Sequence, residues 1–448
     1  MFERGAWSLA KLRSELRLID LFALTFGTVI GWGVFTLVGV WLDMSGPWGI
    51  VVAAFVGMLM ILPTAISYSI LIRLQPDPGG VFTWTYNSFG YLLGFVNGWW
   101  LYTVYFSIMV LNSTAFSVWL QLIAPDLIKW GYLYTMKNYD VYIGYVLSTV
   151  SILTLFFILN YFGIKFSAMS QRIMTLTLVA TGYIYVITCF LRGNIMNTLT
   201  PSPWSIKNGL YGVLMWLAIA PWAYTGFSSV AQVIDETSED PRKITLIIVV
   251  TLVIGASFYV LIPLATAATE PWIRFAGMWL VTASVAEKVL GRLGKAIIFL
   301  GVLMGVLSGV NGYMIASSRL LFAMGRKVVS EFFSHIHPKY NTPSRALLFT
   351  FSLAIPFIFL GREILIWFVN TASFGTAITN IFAGFSLYKI GILKKHRILG
   401  LLSGFIGILF IVIQLIQLDI VSIIFIILFT LLGVTLYSVF NHTKETIS

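Results

Sequence analysis

Three glycines within seven residues, Gly27, Gly31 and Gly33, interrupt an apolar run that extends from about residue 18 to residue 42. That run is long enough to cross a bilayer once, and glycine is a poor residue for the interior of a spanning helix. A helix broken at mid-membrane leaves backbone N–H and C=O groups that protein or a water-filled cavity must satisfy. The stretch therefore predicts a broken helix whose free backbone groups can hold a ligand. The alternative is that the glycines only let a neighbouring helix pack closely.

A second interruption lies five apolar segments further along the chain. The run from Trp216 to Phe227 contains Pro221 and Gly226, and proline removes a backbone donor and clashes with the preceding helical turn. Interrupted segments at matching positions in two halves of a chain are typical of inverted-repeat transporters with a site at the midplane. Because five spans are an odd number, the second half would run inverted relative to the first. The alternative is two unrelated kinks.

Side chains suited to catalysis or metal binding are scarce in the apolar segments. The four histidines lie in predicted loops or in the tail, and the single cysteine, Cys189, has no evident partner. Intramembrane hydrolysis, acyl transfer or metal chemistry needs histidines, cysteines or paired carboxylates at depth. We therefore predict that the chain is not an enzyme and assign no catalytic residue, metal ligand or cofactor. His335 and His337 are interpreted as loop residues.

Composition places the chain among polytopic membrane proteins. Of its 448 residues, 58% are hydrophobic and 10% are charged, and the mean hydropathy is +0.91. The net charge of +11 does not indicate a nucleic-acid partner, because the basic residues are spread over short loops. The expected partners are the lipid bilayer and a small-molecule substrate, and the oligomeric state is open.

The predicted fold is an all-α polytopic membrane protein with twelve transmembrane helices. With the amino terminus inside, 19 of the 28 lysines and arginines fall on the inner side, which places both termini in the cytoplasm and the chain in the cytoplasmic membrane. The apolar segments cover about 18–42, 48–72, 90–124, 141–160, 167–190, 209–234, 244–269, 296–324, 344–361, 364–390, 398–417 and 419–440. The predicted units are an N-terminal segment (1–17), a first repeat of helices 1 to 5 (18–190), a second repeat of helices 6 to 10 (209–390), helices 11 and 12 (398–440) and a tail (441–448).

Four motifs occur in the order, and at the predicted positions, of one transporter superfamily. They are Gly27–Phe35, the Pro78-Gly79-Gly80 loop with Gly90 and Gly98-Trp99, Trp222–Phe227 with Glu236 and Asp240-Pro241-Arg242, and Ser317–Arg326 with Pro343. On these motifs the chain resembles the amino acid–polyamine–organocation (APC) superfamily, amino acid permease branch, along helices 1 to 10. The resemblance implies the APC fold, a five-plus-five inverted repeat with discontinuous helices 1 and 6 and two C-terminal helices. It also implies alternating access and an amino acid or related amine as substrate.

The resemblance implies a substrate site at the two breaks. It assigns the amides of Trp32 and Gly33 to the substrate carboxylate. It assigns freed carbonyls, those of Val29, Trp222 and Thr225, to the ammonium group. Backbone groups recognise only what all amino acids share, so side chains must select among them. The predicted substrate-binding residues are Val29, Gly31, Trp32, Gly33, Tyr105, Trp222, Tyr224, Thr225, Gly226 and Ser373.

Three residues depart from the superfamily pattern. Trp32 stands at a small, serine-like position, which leaves the size of the pocket open. Leu178 stands where some proton-coupled members place a membrane lysine, which leaves the coupling ion open between Na⁺, H⁺ and none. Lys327 replaces the usual acidic residue after helix 8, which puts a cytoplasmic contact in doubt.

Ion coupling and gating are assigned to polar residues of helices 6 and 8. Carbonyls of helix 1 could hold sodium together with a hydroxyl of helix 8, although each such serine could instead bond to its own helix. The candidate serines are Ser308, Ser317 and Ser318. An inner charge cluster is interpreted as a gate whose ion pairs break on opening or, alternatively, as ordinary loop charges. Its members are Glu236, Asp240, Arg242, Arg319 and Arg326.

Secondary active transport of amino acids, with neutral ones favoured, is the predicted function. No acid or base lies at mid-membrane to pair with a charged substrate side chain, and an unpaired buried charge is costly. The alternatives are an amino acid exchanger, a permease for polyamines or other organic amines, and a substrate-sensing receptor with the permease fold. A Trp32 side chain that plugs the site would favour the receptor.

Overall fold

The computed structural model describes residues 12–136, 139–201, 206–361, 364–416 and 418–445. Over these residues the chain is mostly helical, and both expected breaks interrupt the helices. The α-helices are α1 (Leu18–Val29), α2 (Gly33–Thr36), α3 (Val38–Leu74), α4 (Val81–Phe89), α5 (Tyr91–Ile123), α6 (Pro125–Ile128), α7 (Ile143–Tyr161), α8 (Ile164–Arg192), α9 (Gly209–Ala218), α10 (Ala220–Ala223), α11 (Ser229–Gln232), α12 (Pro241–Thr269), α13 (Val281–Leu290), α14 (Arg292–Lys327), α15 (Ser344–Ile358), α16 (Ile364–Ile390), α17 (Lys394–Gln414) and α18 (Ile420–Glu445).

Eight of the described helices are long and apolar enough to cross a membrane: α3, α5, α7, α8, α12, α14, α17 and α18. Three others, α1, α9 and α15, are apolar but shorter. The polytopic membrane architecture is confirmed, whereas the count of twelve spans and the inverted repeat stay predictions. The spans differ in how deeply they are buried. In the most apolar stretch of α5, 67% of the residues are buried, whereas only 17% are buried in that of α18. α5 therefore lies at the centre of the bundle and α18 at its edge.

The chain turns between the first two apolar segments, where the sequence predicted a boundary, but the turn is tighter than predicted. α3 begins at Val38, inside the first segment, and continues to Leu74 through a sharp turn at Gly46. Gly46 has a φ of 70°, which glycine adopts without steric cost, and Pro47 follows it with a fixed φ. One glycine–proline pair thus turns the chain where the prediction placed a five-residue loop.

The all-α prediction is wrong in the segment between α6 and α7. Strands β1 (Tyr132–Met136) and β2 (Tyr139–Tyr142) pair there as an antiparallel hairpin. Tyrosine, threonine and valine favour extended backbone, and these strands are rich in them. The segment is too short and too polar to be a membrane span, so the search for apolar segments did not reveal its strands.

Residues at the beginning of α13 form hydrogen bonds to α2. The amide of Leu280 donates to the carbonyl of Thr36 over 2.9 Å. The Thr282 hydroxyl donates to the carbonyl of Phe35 over 2.8 Å. α2 has only four residues and would not be stable alone. These bonds therefore fix the short helix that follows the first break.

Candidate functional site

The first predicted break is present between α1 and α2. α1 ends at Val29, Ile30 adopts an extended conformation (φ −103°, ψ 105°), and α2 begins at Gly33. Among the described residues, none accepts a hydrogen bond from the amides of Gly31, Trp32 or Gly33. Glycines 31 and 33 weaken the local helix propensity. The result is a short non-helical stretch with three free backbone donors.

Two glycines on one face of α14 let this helix approach the break. Gly305 and Gly309 are four residues apart and therefore lie one above the other. A Cβ atom on Gly305 would lie 2.9 Å from the Trp32 nitrogen. A Cβ atom on Gly309 would lie 2.4 Å from Oδ1 of Asn112 on α5. Larger residues at either position would push α14 away from the broken backbone.

A narrow cavity of about 30 Å³ lies at this break, with room for one or two water molecules. Its walls come from the broken stretch and from α5, α10, α12 and α14. Of the described residues that line it, none carries a charged side chain. The lining residues are Gly27, Thr28, Val29, Gly31, Trp32, Gly33, Val34, Ile108, Leu111, Asn112, Trp222, Tyr259, Gly309 and Tyr313.

Two tyrosines satisfy the carbonyl groups that the end of α1 leaves free. The Tyr313 hydroxyl donates to the Thr28 carbonyl over 2.7 Å. The Tyr259 hydroxyl lies 2.9 Å from the Ala223 carbonyl and 3.3 Å from the Val29 carbonyl, so it joins the two breaks. The sequence analysis missed both residues. A hydroxyl in an otherwise apolar span was the signal that could have found them, because buried hydroxyls need a partner.

Asn112 is a third residue that the sequence analysis missed. Its side chain is 3% exposed, and its Nδ2 donates to the Ile108 carbonyl over 2.7 Å. Its Oδ1 accepts no hydrogen bond from the described residues, although it is buried. A Cβ atom built on Gly31 would lie 3.8 Å from this oxygen. The cavity lining therefore includes an unpaired acceptor close to Gly31.

The second break lies between α9 and α11. α10 and a 3₁₀ turn at Thr225–Ser228 replace the regular helix there, as the interrupted sequence predicted. Trp222 lines the cavity, and a Cβ atom on Gly33 would lie 3.2 Å from its ring. Tyr224 instead turns away and donates to the Ala54 carbonyl over 2.9 Å. The Thr225 hydroxyl bonds to a hydroxyl of α16 over 3.1 Å.

Gly226 is a packing residue rather than a lining residue. A Cβ atom there would lie 2.1 Å from the Thr28 carbonyl carbon and 2.3 Å from the Val29 nitrogen. The two broken segments therefore touch backbone to backbone at this glycine. Its hydrogen is the only side group that the contact admits.

Tyr105 and Ser373, two further predicted substrate-binding residues, do not line the cavity. The Tyr105 hydroxyl bonds to Ser228 Oγ over 2.7 Å and to Gln232 Oε1 over 3.2 Å. The Ser373 hydroxyl donates to the Ala218 carbonyl over 3.1 Å. Five of the ten predicted residues, Val29, Gly31, Trp32, Gly33 and Trp222, meet at the cavity, and the other five lie outside it.

Comparison with known proteins identifies the family. The profile described as "Amino acid permease" matches residues 16–446, almost the whole chain. The chain belongs to the amino acid permease family. The predicted APC superfamily membership is thereby confirmed, and the protein is a permease rather than an enzyme.

Curated relatives of this permease are transporters with several substrates. The chain is 26% identical over 355 residues to a branched-chain amino acid permease of Bacillus subtilis (strain 168), covering 75% of this chain and 73% of the relative. It is 24% identical over 411 residues to a glutamate/serine transporter of the same organism, covering 85% and 72%. It is 23% identical over 306 residues to a low-affinity putrescine importer of Escherichia coli (strain K12), covering 66% and 64%.

The three candidate ion-binding serines of the permease are not brought together. The Ser308 hydroxyl lies 3.2 Å from the Gly27 carbonyl, so it alone among the three contacts α1. The hydroxyls of Ser317 and Ser318 donate to carbonyls of their own helix over 2.6 and 2.7 Å. The alternative of helix back-bonding therefore describes both of those residues.

The predicted charge cluster of the permease divides into separate contacts. Arg319 and Glu236 form a buried ion pair over 2.8 Å, with side chains 0% and 2% exposed. Asp240 accepts from the Arg242 amide over 2.8 Å and caps α12. The Arg326 guanidinium lies over the Phe322 ring, at 5.1 Å from its centre. Only the first of these contacts joins distant segments by charge.

Lys327 forms an ion pair, although its departure from the superfamily pattern put a contact at this position in doubt. Its ammonium lies 2.8 Å from Asp77 Oδ2 and 3.0 Å from the Thr83 hydroxyl. Asp77 precedes α4, so the pair ties the end of α14 to that loop.

His335 and His337 lie in the segment between α14 and α15 of the permease, where the sequence analysis interpreted them as loop residues. Within the described part of the chain, no group of three or more histidine, cysteine, aspartate or glutamate residues could hold a metal ion. His335 Nδ1 bonds to the Ser344 hydroxyl over 3.2 Å. Desolvation and the nearby Arg345 charge lower the pKa of His335. The ring thus has a structural partner in its loop.

Proposed function

We propose that this permease transports neutral amino acids across the cytoplasmic membrane by alternating access, with both termini in the cytoplasm. The observation that carries the proposal is the cavity at the first break. It combines free backbone donors, an unpaired amide oxygen and apolar walls, and no charged side chain lines it. A zwitterion with an uncharged side chain matches each of these features.

The substrate carboxylate is assigned to the amides of Gly31, Trp32 and Gly33. These donors need no rearrangement to become available, because none has an acceptor among the described residues. Hydrogen bonds to a charged group contribute about 1.5–3 kcal/mol each when they are buried. Free amides therefore supply strong recognition of the carboxylate without an arginine.

The substrate ammonium is assigned to Asn112 Oδ1 and to the Val29 carbonyl. The amide oxygen is unpaired, and the carbonyl has only the long 3.3 Å contact from Tyr259. The Thr225 carbonyl is a weaker candidate than the sequence implied, because the Ser228 hydroxyl already donates to it over 3.1 Å. This assignment adds Asn112 to the predicted ligands of the ammonium group and removes Thr225.

The substrate side chain is expected to be apolar. Trp32, Trp222, Ile108 and Leu111 face the cavity, so a charged side chain would be desolvated without a partner. The branched-chain amino acid permease among the relatives supports this choice. Trp32 forms one wall of a cavity of only about 30 Å³, so the receptor with a plugged site stays an alternative.

Exchange is the second candidate mode. The Ala23 carbonyl of α1 accepts from the Thr175 hydroxyl over 2.8 Å, and the Gly27 carbonyl from Ser308 over 3.2 Å. These contacts occupy oxygens that a sodium ion at α1 would need. A serine/threonine exchanger of Bacillus subtilis (strain 168) is among the relatives, 24% identical over 359 residues. We therefore favour exchange or proton linkage over sodium coupling.

Uptake and counterflow in proteoliposomes test this proposal. Labelled leucine, valine, serine, glutamate, lysine and putrescine are offered with and without sodium, to vesicles that are empty or preloaded with unlabelled substrate. We expect saturable uptake of an apolar neutral amino acid, unchanged by sodium and faster into preloaded vesicles. Putrescine or lysine as the preferred substrate would contradict the neutral site. Binding without any flux would favour the receptor.

A further inference from the structure

A second cavity, of about 400 Å³, opens on the predicted inner face, where α3 ends and α12 and α17 begin. Arg73 comes from the last turn of α3, Arg242 from the first turn of α12, and His396 from the first turn of α17. Ile70 and Leu74 of α3 form its apolar side. The cavity shares no lining residue with the one at the first break.

The charge on this cavity is predominantly positive and largely uncompensated. Neither Arg73 nor Arg242 forms an ion pair with an acid among the described residues. Asp240 is the acid on the wall, and its Oδ1 accepts from the Arg242 amide. The neighbouring acid, Glu239, is paired with Lys243 over 3.7 Å. Two guanidinium groups are therefore available to an anion.

Exposed apolar residues continue from this basic cavity along α12. Leu246 follows Arg242 by one helical turn on α12 and is 63% exposed. Val253 follows Leu246 by two further turns on the same face of α12 and is 53% exposed. Residues one turn apart lie on the same helix face. The guanidinium groups at the opening of the cavity match a lipid headgroup, and the exposed apolar residues further along the span match its acyl chains.

We propose that the α3–α12–α17 cavity binds the phosphate group of an anionic phospholipid from the inner leaflet. Guanidinium groups match phosphate oxygens through paired N–H donors, which a single ammonium cannot reproduce. Basic pockets between spans on the cytoplasmic side suit acidic headgroups. The exposed apolar residues Leu246 and Val253 favour a lipid over free phosphate, because only a lipid has chains to cover them.

Native mass spectrometry of lipid retention tests the site without any transport assay. The full-length protein in detergent is titrated with phosphatidylglycerol, with phosphatidylcholine of the same chains, and separately with inorganic phosphate. We expect retention of phosphatidylglycerol in preference to the other two. The double variant Arg73→Gln/Arg242→Gln should weaken it by about 25-fold, at about fivefold for each cation near an acidic headgroup.

Two further variants make the test specific. Lys165→Gln is the matched control, because Lys165 is an exposed base at the start of α8 and lies outside the cavity. It should leave retention unchanged. Asp240→Asn removes the one negative charge of the wall, while asparagine caps a helix as well as aspartate does. We expect it to tighten binding about fivefold, a change opposite in sign to that of the arginine variants.

Three outcomes would overturn the proposal. Equal retention by the wild type and the double variant would show that the arginines do not hold the lipid. An equal loss in Lys165→Gln would show a general effect of surface charge. Inorganic phosphate that competes at the same concentration as phosphatidylglycerol would identify a phosphate site instead of a lipid site. Each result is independent of which solute the permease carries.

Discussion

The two breaks look alike in sequence but differ in what they leave unsatisfied. At the first break, the amides of Gly31, Trp32 and Gly33 have no acceptor among the described residues and border a cavity. At the second, Tyr224 and Thr225 bond to other helices. At the first break, backbone groups therefore border a cavity, whereas at the second, two side chains tie the break to neighbouring helices.

That difference originates in the neighbours of each break rather than in the breaks themselves. Gly305 and Gly309 bring α14 close to the first break without filling it. At the second break, Thr28 of α1 occupies a backbone acceptor, because its hydroxyl donates to the Gly226 carbonyl over 2.9 Å. Glycine or proline in a span thus predicts irregular backbone, but tertiary contacts decide whether that backbone is free.

The largest expected effect concerns the buried ion pair after the second break. Arg319→Met should destabilise the fold by about 3–5 kcal/mol, because it leaves the Glu236 carboxylate buried without its partner. Thermal unfolding of the purified protein measures this loss. Glu239→Gln is the control, since its pair with Lys243 is partly exposed and such pairs contribute at most about 1 kcal/mol. Equal effects of the two substitutions would refute a structural role for the buried pair.

A glycine at each break gives the sharpest comparison. Gly226→Ala should destabilise the protein by about 3 kcal/mol, because its Cβ atom would overlap the backbone of α1. Gly31→Ala should change stability by less than about 0.5 kcal/mol, because its Cβ atom meets only Asn112 Oδ1 at 3.8 Å. It should instead weaken substrate binding about tenfold by occupying the cavity. The comparison fails if the two variants have the same melting temperature and affinity.

Much of the fold could be predicted because the membrane imposes simple constraints. Span length, apolar runs and interrupting residues follow from the bilayer and identify both breaks. The β1–β2 hairpin was not foreseen, and neither was the tightness of the turn at Gly46, since neither depends on crossing the membrane. Local propensity and a single positive φ decide these features.

The site was harder to predict than the fold, because whether a residue lines the cavity depends on the direction of its side chain. Tyr224 and Thr225 belong to the motif at the second break, yet their hydroxyls bond to α3 and α16. Asn112 and Tyr259 belong to no motif and line the cavity. A motif places a backbone segment near the site, and only packing determines which of its atoms face the ligand.

Asn112 provides a test of the first break that leaves its backbone unchanged. Asn112→Leu keeps the side-chain volume but removes the unpaired oxygen assigned to the substrate ammonium. Loss of a buried bond to a charged group amounts to about 1.5–3 kcal/mol, so substrate affinity should fall about tenfold or more. Binding is measured by ligand-induced thermal stabilisation. Ser113→Ala is the control, because that hydroxyl bonds to its own helix at Met109, and an equal loss there would remove Asn112 from the site.

Thr225→Val is the mildest change and the most direct test of the contrast between the breaks. It removes one hydroxyl contact with Thr376 while preserving shape, so stability should fall by about 0.5–1.5 kcal/mol. If the second break only holds the bundle together, substrate affinity should remain that of the wild type. A drop in affinity without a drop in melting temperature would mean that the Thr225 hydroxyl leaves Thr376 to bind substrate. Both breaks would then bind the substrate. The contrast between free groups at the first break and bonded groups at the second would hold only without a ligand.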